Sequence, residues 1–299
     1  MSTIQRKTIL ITGATNGLGE AAALELAKSG AEIIIVSRSA EKCAATAQKI
    51  SQATGNARVR YYAADLSLMA ETRRVADQIK RDTPTLDVLF NNAGAWFDKR
   101  QETAEGLEMH FALNHMSYFL LTNLLLDRLQ AAAAKNGHAR VISMSSSAHH
   151  QGTIYWDDLQ HRKDYPAGSV GAGWGVYAES KLANVLFAFG LARRLTGTGV
   201  VSNAIHPGVV VTGFTQNNGW LYKIAAPFRR MGQGATPLEG AMPGIWLARE
   251  PEAATINGRY FGPPHNEEPV KAEANDIAAQ DRLWAVSAET AGLGEKITI

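Results

Sequence analysis

The chain has 299 residues, enough for one large α/β domain with a sizeable core, and 45% hydrophobic with 19% charged residues is typical of a globular protein. A net charge of +2, without a long run of either sign, argues against a nucleic-acid or anionic-membrane partner. The single cysteine, Cys43, excludes an internal disulfide and favours a reducing, cytoplasmic setting.

The first ninety residues alternate short β-branched runs with helical periods, starting with a strand at 8–12. Too few residues precede that strand for a signal peptide or a membrane anchor, so we expect neither. Strands that alternate with helices predict a parallel sheet covered on both faces. The further predicted elements are helix 18–29, strand 32–36, helix 40–53, strand 58–63, helix 68–81, strand 88–90, helix 106–134, strand 140–143, helix 175–195 and strand 200–204. The pattern predicts one Rossmann-type α/β domain over residues 1–299, a three-layer α-β-α fold around a doubly wound parallel sheet of about seven strands.

A glycine-rich loop joins the first strand to the first helix, with the spacing G-x-x-x-G-x-G rather than the G-x-G-x-x-G of the dinucleotide fingerprint. Its glycines allow a tight turn and a close approach of a ligand. The helix that follows offers unpaired N–H groups and its positive dipole end to a pyrophosphate. The loop therefore predicts nucleotide binding, with the candidates Gly13, Thr15, Asn16, Gly17, Leu18 and Gly19.

The end of the second strand carries Ser37 and Arg38, where an NAD-preferring site usually places an acid on the ribose 2′-hydroxyl. The guanidinium of Arg38 suits a 2′-phosphate instead. We therefore expect NADP(H) in preference to NAD(H). The alternative is a solvated surface arginine.

The ends of the third and fourth strands supply further candidates for cofactor binding. Asp65, followed by Leu66, either accepts a hydrogen bond from an adenine amino group or caps the next helix. After the fourth strand, the run Asn92-Ala93-Gly94 lies at the carboxyl edge of the sheet, where ligands bind in open α/β folds.

Tyr177 and Lys181 lie four residues apart in the predicted helix 175–195, so their side chains share one helical face. A neighbouring cation favours the ionised form of a phenol. This makes Tyr177 a candidate proton donor or acceptor near neutral pH. A Tyr and a Lys at this spacing occur by chance in many helices. A catalytic role for the pair therefore depends on the other motifs of the chain.

In their order and spacing, the glycine-rich loop, the turn at 91–94, the Tyr177/Lys181 pair and a Pro207-Gly208 turn resemble the short-chain dehydrogenase/reductase family. The resemblance covers about residues 7–212. The segments 106–110, 114–115, 119–122 and 282–287 are similar to its retinol-dehydrogenase-like branch, which acts on retinoids, steroids and other lipophilic carbonyls or alcohols, generally with NADP(H). The amino-terminal membrane segment of many animal relatives is not seen, so a soluble, bacterial-type member without membrane contact is expected.

The resemblance implies four catalytic residues. Tyr177 matches the acid/base, and Lys181 matches the lysine that holds the nicotinamide ribose and lowers the pKa of the tyrosine. Asn114 matches the asparagine that anchors a water of the proton relay. Ser146 matches the serine that follows the fifth strand, with Ser145 as the fallback in a run of three serines.

The resemblance also implies cofactor contacts in the turn that follows the sixth predicted strand. Backbone groups there are expected at the nicotinamide carboxamide, and a threonine is expected at the diphosphate. The residues concerned are Pro207, Gly208, Val209 and Thr212.

Three aromatic-rich stretches are expected to form the substrate pocket: 95–97, the enlarged loop 147–176, and a lid at about 212–235. The alternative is that their aromatic side chains pin long loops to the core. A carboxyl-terminal extension, about 262–299, with a predicted helix near 273–287, either closes the pocket or caps the sheet. No metal site is expected, because His149, His150 and His206 match no helix-borne ligand pair.

The expected activity is hydride transfer between the nicotinamide of NADP(H) and the carbonyl or alcohol of a bulky apolar or aromatic substrate, as in a carbonyl reductase or alcohol dehydrogenase. Two alternatives stay open. One is reduction of a C=C bond, as in protochlorophyllide-reductase-like relatives, and the other is a non-catalytic NADP(H)-binding sensor. The long helices also leave open whether the chain is a monomer or a homo-oligomer.

Overall fold

The computed structural model describes residues 4–168, 171, 173–209 and 234–294. Within them one sheet has the strand order β3-β2-β1-β4-β5-β6-β7-β8. The strands are β1 (Thr8–Thr12), β2 (Glu32–Ser37), β3 (Val59–Ala63), β4 (Val88–Asn91), β5 (Ala139–Met144), β6 (Val200–Ile205), β7 (Tyr260–Gly262) and β8 (Asn266–Glu267). Strands β1 to β7 pair in parallel, and β8 adds a two-residue antiparallel edge. The predicted doubly wound sheet of about seven parallel strands is confirmed.

Helices flank both faces of this sheet. They are α1 (Gly17–Lys28), α2 (Ala40–Thr54), α3 (Met69–Asp82), α4 (Ser117–Leu124), α5 (Leu126–Asn136), α6 (Trp174–Arg194), α7 (Pro237–Arg249) and α8 (Ile277–Thr290). Helix α1 packs beside α2 and α7, whereas α6 packs beside α8. The reversal of strand order between β1 and β4 places these two groups on opposite faces.

The central strands are continuous apolar runs, as both faces of a parallel sheet require. Every side chain of Ile9–Ile11 and of Ile33–Val36 is buried. The burial of these runs against helices on both sides holds the carboxyl ends of the strands in a fixed arrangement.

Helix α7 and strand β7 were not predicted from the sequence. Helix α7 begins with a capping box between Thr236 and Glu239, but Pro243 and two glycines inside it weaken the helical signal. Gly244 is required by packing, because a Cβ there would lie 2.4 Å from Cζ of Phe90.

The predicted helix 106–134 is wrong in its start and its continuity. Gly106 has a φ of +79° and Glu108 bridges back to Glu102, so the helix begins only at Met109. A π-helical stretch, Phe111–Met116, precedes α4, and the helix breaks again before α5. Such π turns are frequent at functional sites because they re-aim a side chain, and Asn114 lies in this one.

The carboxyl-terminal helix α8 covers the helical layer formed by α4 and α6. The Trp284 ring lies 5.0 Å from Phe119 and 6.1 Å from Phe187, measured between centroids. Ser287 Oγ lies 2.8 Å from Nε2 of His115. The helix predicted near 273–287 therefore exists, and it packs on other helices rather than on a sheet edge.

Across the described ranges, no helix combines the length and the apolarity needed to cross a lipid bilayer.

Candidate active site

A cleft of about 300 Å³ opens at the carboxyl ends of β1 to β4. It lies where the strand order reverses, the usual ligand position in open α/β sheets. The predicted cofactor residues that line it are Gly13, Thr15, Asn16, Gly17, Leu18, Gly19, Ser37, Arg38, Asp65, Leu66, Asn92, Ala93 and Gly94. The structure thus brings together candidates from four separate strand ends.

The described part of the turn after β6 contributes no residue to the lining of this cleft. Pro207, Gly208 and Val209 follow β6 and are not among the described residues that line the cleft, and Val209 is 80% exposed. Thr212 and most of the expected lid fall outside the described residues.

The glycine-rich loop is shaped by contact with the end of β4. Gly13 and Gly17 have φ angles of +67° and +56°, which favour glycine. A Cβ on Gly13 would lie 2.8 Å from Cα of Ala93, and one on Gly19 would lie 2.5 Å from Nδ2 of Asn92. The glycines therefore let the loop pack directly on β4.

Thr12 and Asn92 fasten this contact with four hydrogen bonds. Oγ1 of Thr12 accepts from the backbone N–H groups of Asn92 and Ala93, both at 2.9 Å. Nδ2 of Asn92 donates to the carbonyl oxygens of Thr12 and Gly13 at 2.8 and 3.3 Å. The amide of Asn92 thus holds the loop in the shape that forms the floor of the cleft.

Asp65 lines the cleft and does not cap the helix that follows it. Its Oδ1 accepts from the backbone N and the hydroxyl of Ser67, at 3.0 and 2.7 Å. The N-terminus of α3 is capped by Glu105, whose carboxylate accepts from Met69 N at 2.6 Å and from Ala70 N at 2.9 Å. The capping alternative for Asp65 is therefore wrong.

Arg38 is exposed at the end of the cleft, and among the described residues no acid pairs with it. Lys42, which sequence reasoning missed, lines the same end. Ser39 caps α2 by accepting from Lys42 N at 3.3 Å, so Lys42 lies in the first helical turn, where the dipole disfavours a cation. The sequence does contain a signal for Lys42, because Ser39 is a typical helix N-cap and therefore places residues 38 and 42 at the same end of α2.

Helix α6 places Tyr177 and Lys181 beside the end of β5. The Lys181 ammonium donates to the carbonyl oxygen of Met144 at 3.2 Å and lies 5.6 Å from the centre of the Tyr177 ring. A Cβ on Gly94 would lie 3.2 Å from Nζ of Lys181 and 3.1 Å from Oδ1 of Asn114. Gly94, which lines the cleft, therefore lies directly against the side chains of both Lys181 and Asn114.

The Asn114 side chain joins the end of β4 to α6. Its Oδ1 accepts from Ala95 N at 2.9 Å, and its Nδ2 donates to Ala95 O at 3.0 Å and to Ser180 Oγ at 2.9 Å. The asparagine is fully buried. These three bonds fix the π-helical stretch against the catalytic candidates on α6.

The three serines after β5 have different surroundings. The hydroxyl of Ser145 donates to the carbonyl oxygen of Lys181 at 2.7 Å, and Ser147 is exposed. Ser146 accepts from Ala148 N at 3.2 Å, and its side chain also hydrogen-bonds Tyr177. Ser146 is therefore the serine whose hydroxyl meets the phenol.

Burial dominates the electrostatics of Tyr177 and Lys181. It raises the pKa of Tyr177 above the usual range, and the hydrogen bond from Ser146 offsets this only in part. The same burial lowers the pKa of Lys181 to about 7. The net direction for Tyr177 is the opposite of what the lysine pair alone predicts, because loss of hydration penalises a phenolate more than its partners compensate.

An aromatic wall stands beside the phenol of Tyr177. The Trp174 ring lies 5.1 Å from the Tyr177 ring, and Trp96 meets Trp174 edge-on at 5.8 Å. The His110 ring lies 6.2 Å from Tyr177. Trp96 was expected in the pocket, and so was the enlarged loop 147–176, in which Trp174 was not singled out although it lies three residues before Tyr177 on the same helical face.

Other polar and aromatic residues of the enlarged loop pin it to the core. His161 Nε2 lies 2.5 Å from Oε2 of Glu179, with both side chains buried. The Tyr165 hydroxyl approaches Glu108 Oε1 at 3.4 Å and His110 Nδ1 at 3.3 Å. Tyr165 therefore holds the enlarged loop against the core, as in the alternative to a role in the substrate pocket.

The neighbouring histidines are engaged by protein groups. His149 is buried, and its Nδ1 lies 2.8 Å from Ser146 O, while His206 Nε2 lies 2.9 Å from a Glu268 oxygen. Within the described portion of the chain, no group of three His, Cys, Asp or Glu side chains could hold a metal ion.

Comparison with known proteins agrees with this geometry. The family model described as short chain dehydrogenase matches residues 7–157. Human retinol dehydrogenase 13 is 40% identical over 98% of this chain and 86% of its own length.

Two solved structures extend the comparison to three dimensions. An uncharacterized protein from Mycobacterium paratuberculosis is 31% identical, with a TM-score of 0.75 over 98% of this chain and 96% of its own. The Pseudomonas aeruginosa RhlG/NADP active-site complex is 29% identical, with a TM-score of 0.68 over 88% of this chain and 96% of its own. The chain therefore belongs to the short-chain dehydrogenase/reductase family of oxidoreductases, in its retinol-dehydrogenase-like branch.

Proposed function

We propose that this protein is an NADP(H)-dependent oxidoreductase that interconverts a carbonyl and an alcohol on a bulky apolar or aromatic small molecule, with Tyr177 as the proton donor and acceptor. The observation that carries the proposal is the convergence of Ser146, Tyr177, Lys181 and Asn114 beside a cleft floored by a glycine-rich loop.

The residues of the cleft fit a nicotinamide dinucleotide. Gly13, Gly19 and Gly94 line the cleft and carry no side chain, so a ligand can approach the backbone at these positions. The N-terminus of α1 opens onto the loop and suits a pyrophosphate. When bound, the nicotinamide supplies or accepts the hydride.

The chain's own residues would handle the proton and the oxygen. The Tyr177 hydroxyl would donate its proton to the substrate oxygen in reduction and remove it in oxidation. Ser146, which hydrogen-bonds Tyr177, is placed to donate to the same oxygen as charge develops. Lys181 would stabilise the phenolate when protonated, and Asn114 would hold the backbone that positions both.

The raised pKa of Tyr177 supports a role as acid in the reducing direction. A buried phenol that stays protonated at neutral pH keeps its proton available until the substrate oxygen needs it. Lys181, whose pKa is about 7, is poised to change its charge when the local field changes.

The preference for NADP(H) is supported by Arg38 and Lys42, two cations without an acidic partner at the ribose end of the cleft. Solved relatives include one complexed with NADP and one complexed with NAD, so the cation pair carries the argument in this chain. A 2′-phosphate would also offset the cost of a lysine in the first turn of α2.

The substrate class is supported by the wall of Trp96 and Trp174 beside Tyr177. Flat aromatic faces favour apolar or aromatic ligands. Human retinol dehydrogenase 13, a relative by sequence, is named for a lipophilic alcohol.

A cytoplasmic location remains the expectation from the lone cysteine.

The experiment is NADPH oxidation against a panel of aromatic ketones, aldehydes and quinones, with Tyr177→Phe as the variant. We expect turnover to fall by roughly a hundredfold or more with NADPH affinity unchanged, because general acid catalysis contributes about that much. Undiminished turnover in the variant would overturn the role of Tyr177.

Product analysis on an enone separates two enzyme activities that share this scaffold. An allylic alcohol identifies the carbonyl reductase, and a saturated ketone identifies reduction of the C=C bond. Binding of NADPH without turnover of any substrate in the panel would instead favour the sensor alternative.

A further inference from the structure

A second cavity, of about 550 Å³, lies at the edge of the sheet opposite the cofactor cleft. Because the strands are parallel, the residues that precede β1, β4 and β5 gather at this amino edge. The charged residues that line the cavity are Arg6, Lys7, Asp87, Lys135 and Arg140. The imidazole of His138 also lines it. None of these residues belongs to the proposed oxidoreductase site.

The buried cation Arg140 has more donors than its protein partners use. The residue is 4% exposed. Its Nη1 donates to Leu247 O at 2.6 Å and its Nη2 to His138 Nε2 at 3.2 Å, while Nε has no hydrogen-bond partner among the described residues. A guanidinium carries five N–H donors and no acceptor, so this side chain is under-satisfied.

Lys7 adds a second surplus of donors at the same point. Its ammonium donates to His138 Nε2 at 2.7 Å, the nitrogen that also accepts from Arg140. Because neither cation can accept a hydrogen bond, His138 serves as their shared neutral acceptor. Burial, with the charges of Lys7 and Arg140, lowers the pKa of His138 to about 4, so the imidazole adds no charge at pH 7.

The carboxylate on the lining is already occupied by other donors. Oδ2 of Asp87 accepts from Thr8 N at 2.9 Å, and Oδ1 accepts from Asn136 Nδ2 at 2.7 Å. Four cations against one carboxylate leave the lining with a formal excess of three positive charges. An acceptor-rich anion would match this lining, because it supplies both charge and hydrogen-bond acceptors.

Two further acids lie near enough to act on Arg140, and both have partners of their own. Glu250 pairs with Arg249 at 2.5 Å, and Glu252 accepts from Nε1 of Trp246 at 3.2 Å. Neither lines the cavity. Their charges reduce the positive field without supplying the missing acceptors.

We propose that this cavity binds a phosphate group, either as inorganic phosphate or as the end of a small phosphomonoester. The phosphate oxygens would accept from the remaining N–H groups of the Arg140 guanidinium nitrogens Nη1 and Nη2 and from the remaining hydrogens of the Lys7 ammonium, with Arg6 and Lys135 closing the outer side. The site lies at the far end of β1 from the glycine-rich loop and is independent of the cofactor cleft.

The first test is a titration of the full chain with inorganic phosphate at pH 7, followed by amide ¹H–¹⁵N NMR at constant ionic strength with chloride as the reference. We expect saturable shifts at the backbone amides of Thr8, Asp87, Asn136 and Arg140. Shifts confined to residues 13–19 and Arg38 would mean that phosphate binds only in the cofactor cleft, and this would overturn the proposal. Equal shifts with chloride would overturn it as well, because they would report ionic screening rather than a site.

Matched lysine variants give the second test. Lys7→Gln should weaken phosphate binding by roughly tenfold, as loss of one charge-assisted hydrogen bond implies. Lys135→Ala, which removes an exposed side chain and does not threaten the fold, should weaken it several-fold. Lys49→Gln, an exposed lysine on α2 that does not line the cavity, should leave binding unchanged. Equal affinity in all three variants would contradict the proposal.

A comparison of inorganic phosphate with ribose 5-phosphate distinguishes the two sources. Tighter binding of ribose 5-phosphate assigns the site to a phosphomonoester whose organic part occupies the rest of the cavity. Tighter binding of inorganic phosphate assigns it to the free anion. Saturable binding of neither at the four amides overturns the proposal.

Discussion

Glu179 and His161 form a buried ion pair, 2.5 Å between Oε2 and Nε2, that ties the enlarged loop to α6. Glu179 Oε1 also accepts from Tyr155 N at 2.8 Å, so one carboxylate holds two points of the loop. Burial opposes the protonation of His161, but the hydrogen bond and charge of Glu179 outweigh it and raise the pKa of His161. Glu179 lies on α6 between Tyr177 and Lys181. The pair therefore fixes the enlarged loop to the helix that carries both of these residues.

Removal of one partner from this pair should be costly. We expect Glu179→Ala to lower the free energy of unfolding by about 3–5 kcal/mol, because His161 and the backbone of Tyr155 lose their acceptor in a buried place. Urea unfolding measures the change, and hydrogen exchange of residues 153–166 should become faster. The double variant Glu179→Gln with His161→Asn, which removes both charges, should retain more stability than Glu179→Ala. Unchanged exchange in that segment after Glu179→Ala would contradict the anchoring role.

The three serines after β5 should separate by function. Ser146→Ala should lower kcat by roughly tenfold or more, since its hydroxyl meets Tyr177, and should also cost about 1 kcal/mol of stability through the lost hydrogen bond from Ala148 N. Ser145→Ala should cost about 1 kcal/mol of stability through the lost hydrogen bond to Lys181 O. Ser147→Ala is the matched control and should change neither quantity, because its side chain is exposed. A loss of kcat confined to Ser145→Ala would move the catalytic role to that residue.

Lys181 should give stability a recognisable pH dependence. Its pKa is about 7 in the folded chain and 10.5 in its ordinary state, so the unfolded chain binds the proton first as the pH falls. Stability from this group is therefore present above pH 10.5 and is lost as the pH falls towards 7. Lys181→Met removes the titration. As the pH is lowered from 10.5 to 7, the free energy of unfolding of the wild type minus that of the variant should therefore decrease, by at most about 1.4 kcal/mol per pH unit. Urea unfolding at pH 7, 8, 9 and 10 tests this, and a flat difference would show that the lysine is hydrated.

The cofactor preference should depend on the two cations at the end of β2 and the start of α2. Arg38→Ala should weaken NADPH binding by roughly ten- to a hundredfold, and Lys42→Ala by several-fold, because each removes a charged donor for a 2′-phosphate. NADH affinity should change little in both. Lys49→Ala, on the same helix but outside the cleft, is the control for general charge effects. Equal losses for NADPH and NADH would place the two cations elsewhere than at the 2′-phosphate.

Much of the fold could be predicted because its signals are local. Strands β1 and β2 are apolar runs bounded by turns, and the glycines at 13 and 17 have positive φ angles that no other residue adopts as easily. The spacing of Tyr177 and Lys181 places them on one helical face by geometry alone. Helix α7 escaped prediction, since its Gly240, Pro243 and Gly244 oppose the local helical preference, and the need for Gly244 comes from packing against Phe90 of β4.

The sequence by itself determined the strand–helix order, the position of the glycine-rich loop and the pairing of Tyr177 with Lys181, because each depends on residues within a few positions of one another. Only the tertiary structure decided that Glu105, rather than Asp65, caps α3, that Ser146 meets the phenol, and that Gly94, Asn114 and Lys181 converge. It also decided the direction of the Tyr177 pKa, since the cost of burying a charge depends on everything packed around it and not on its neighbours in the chain.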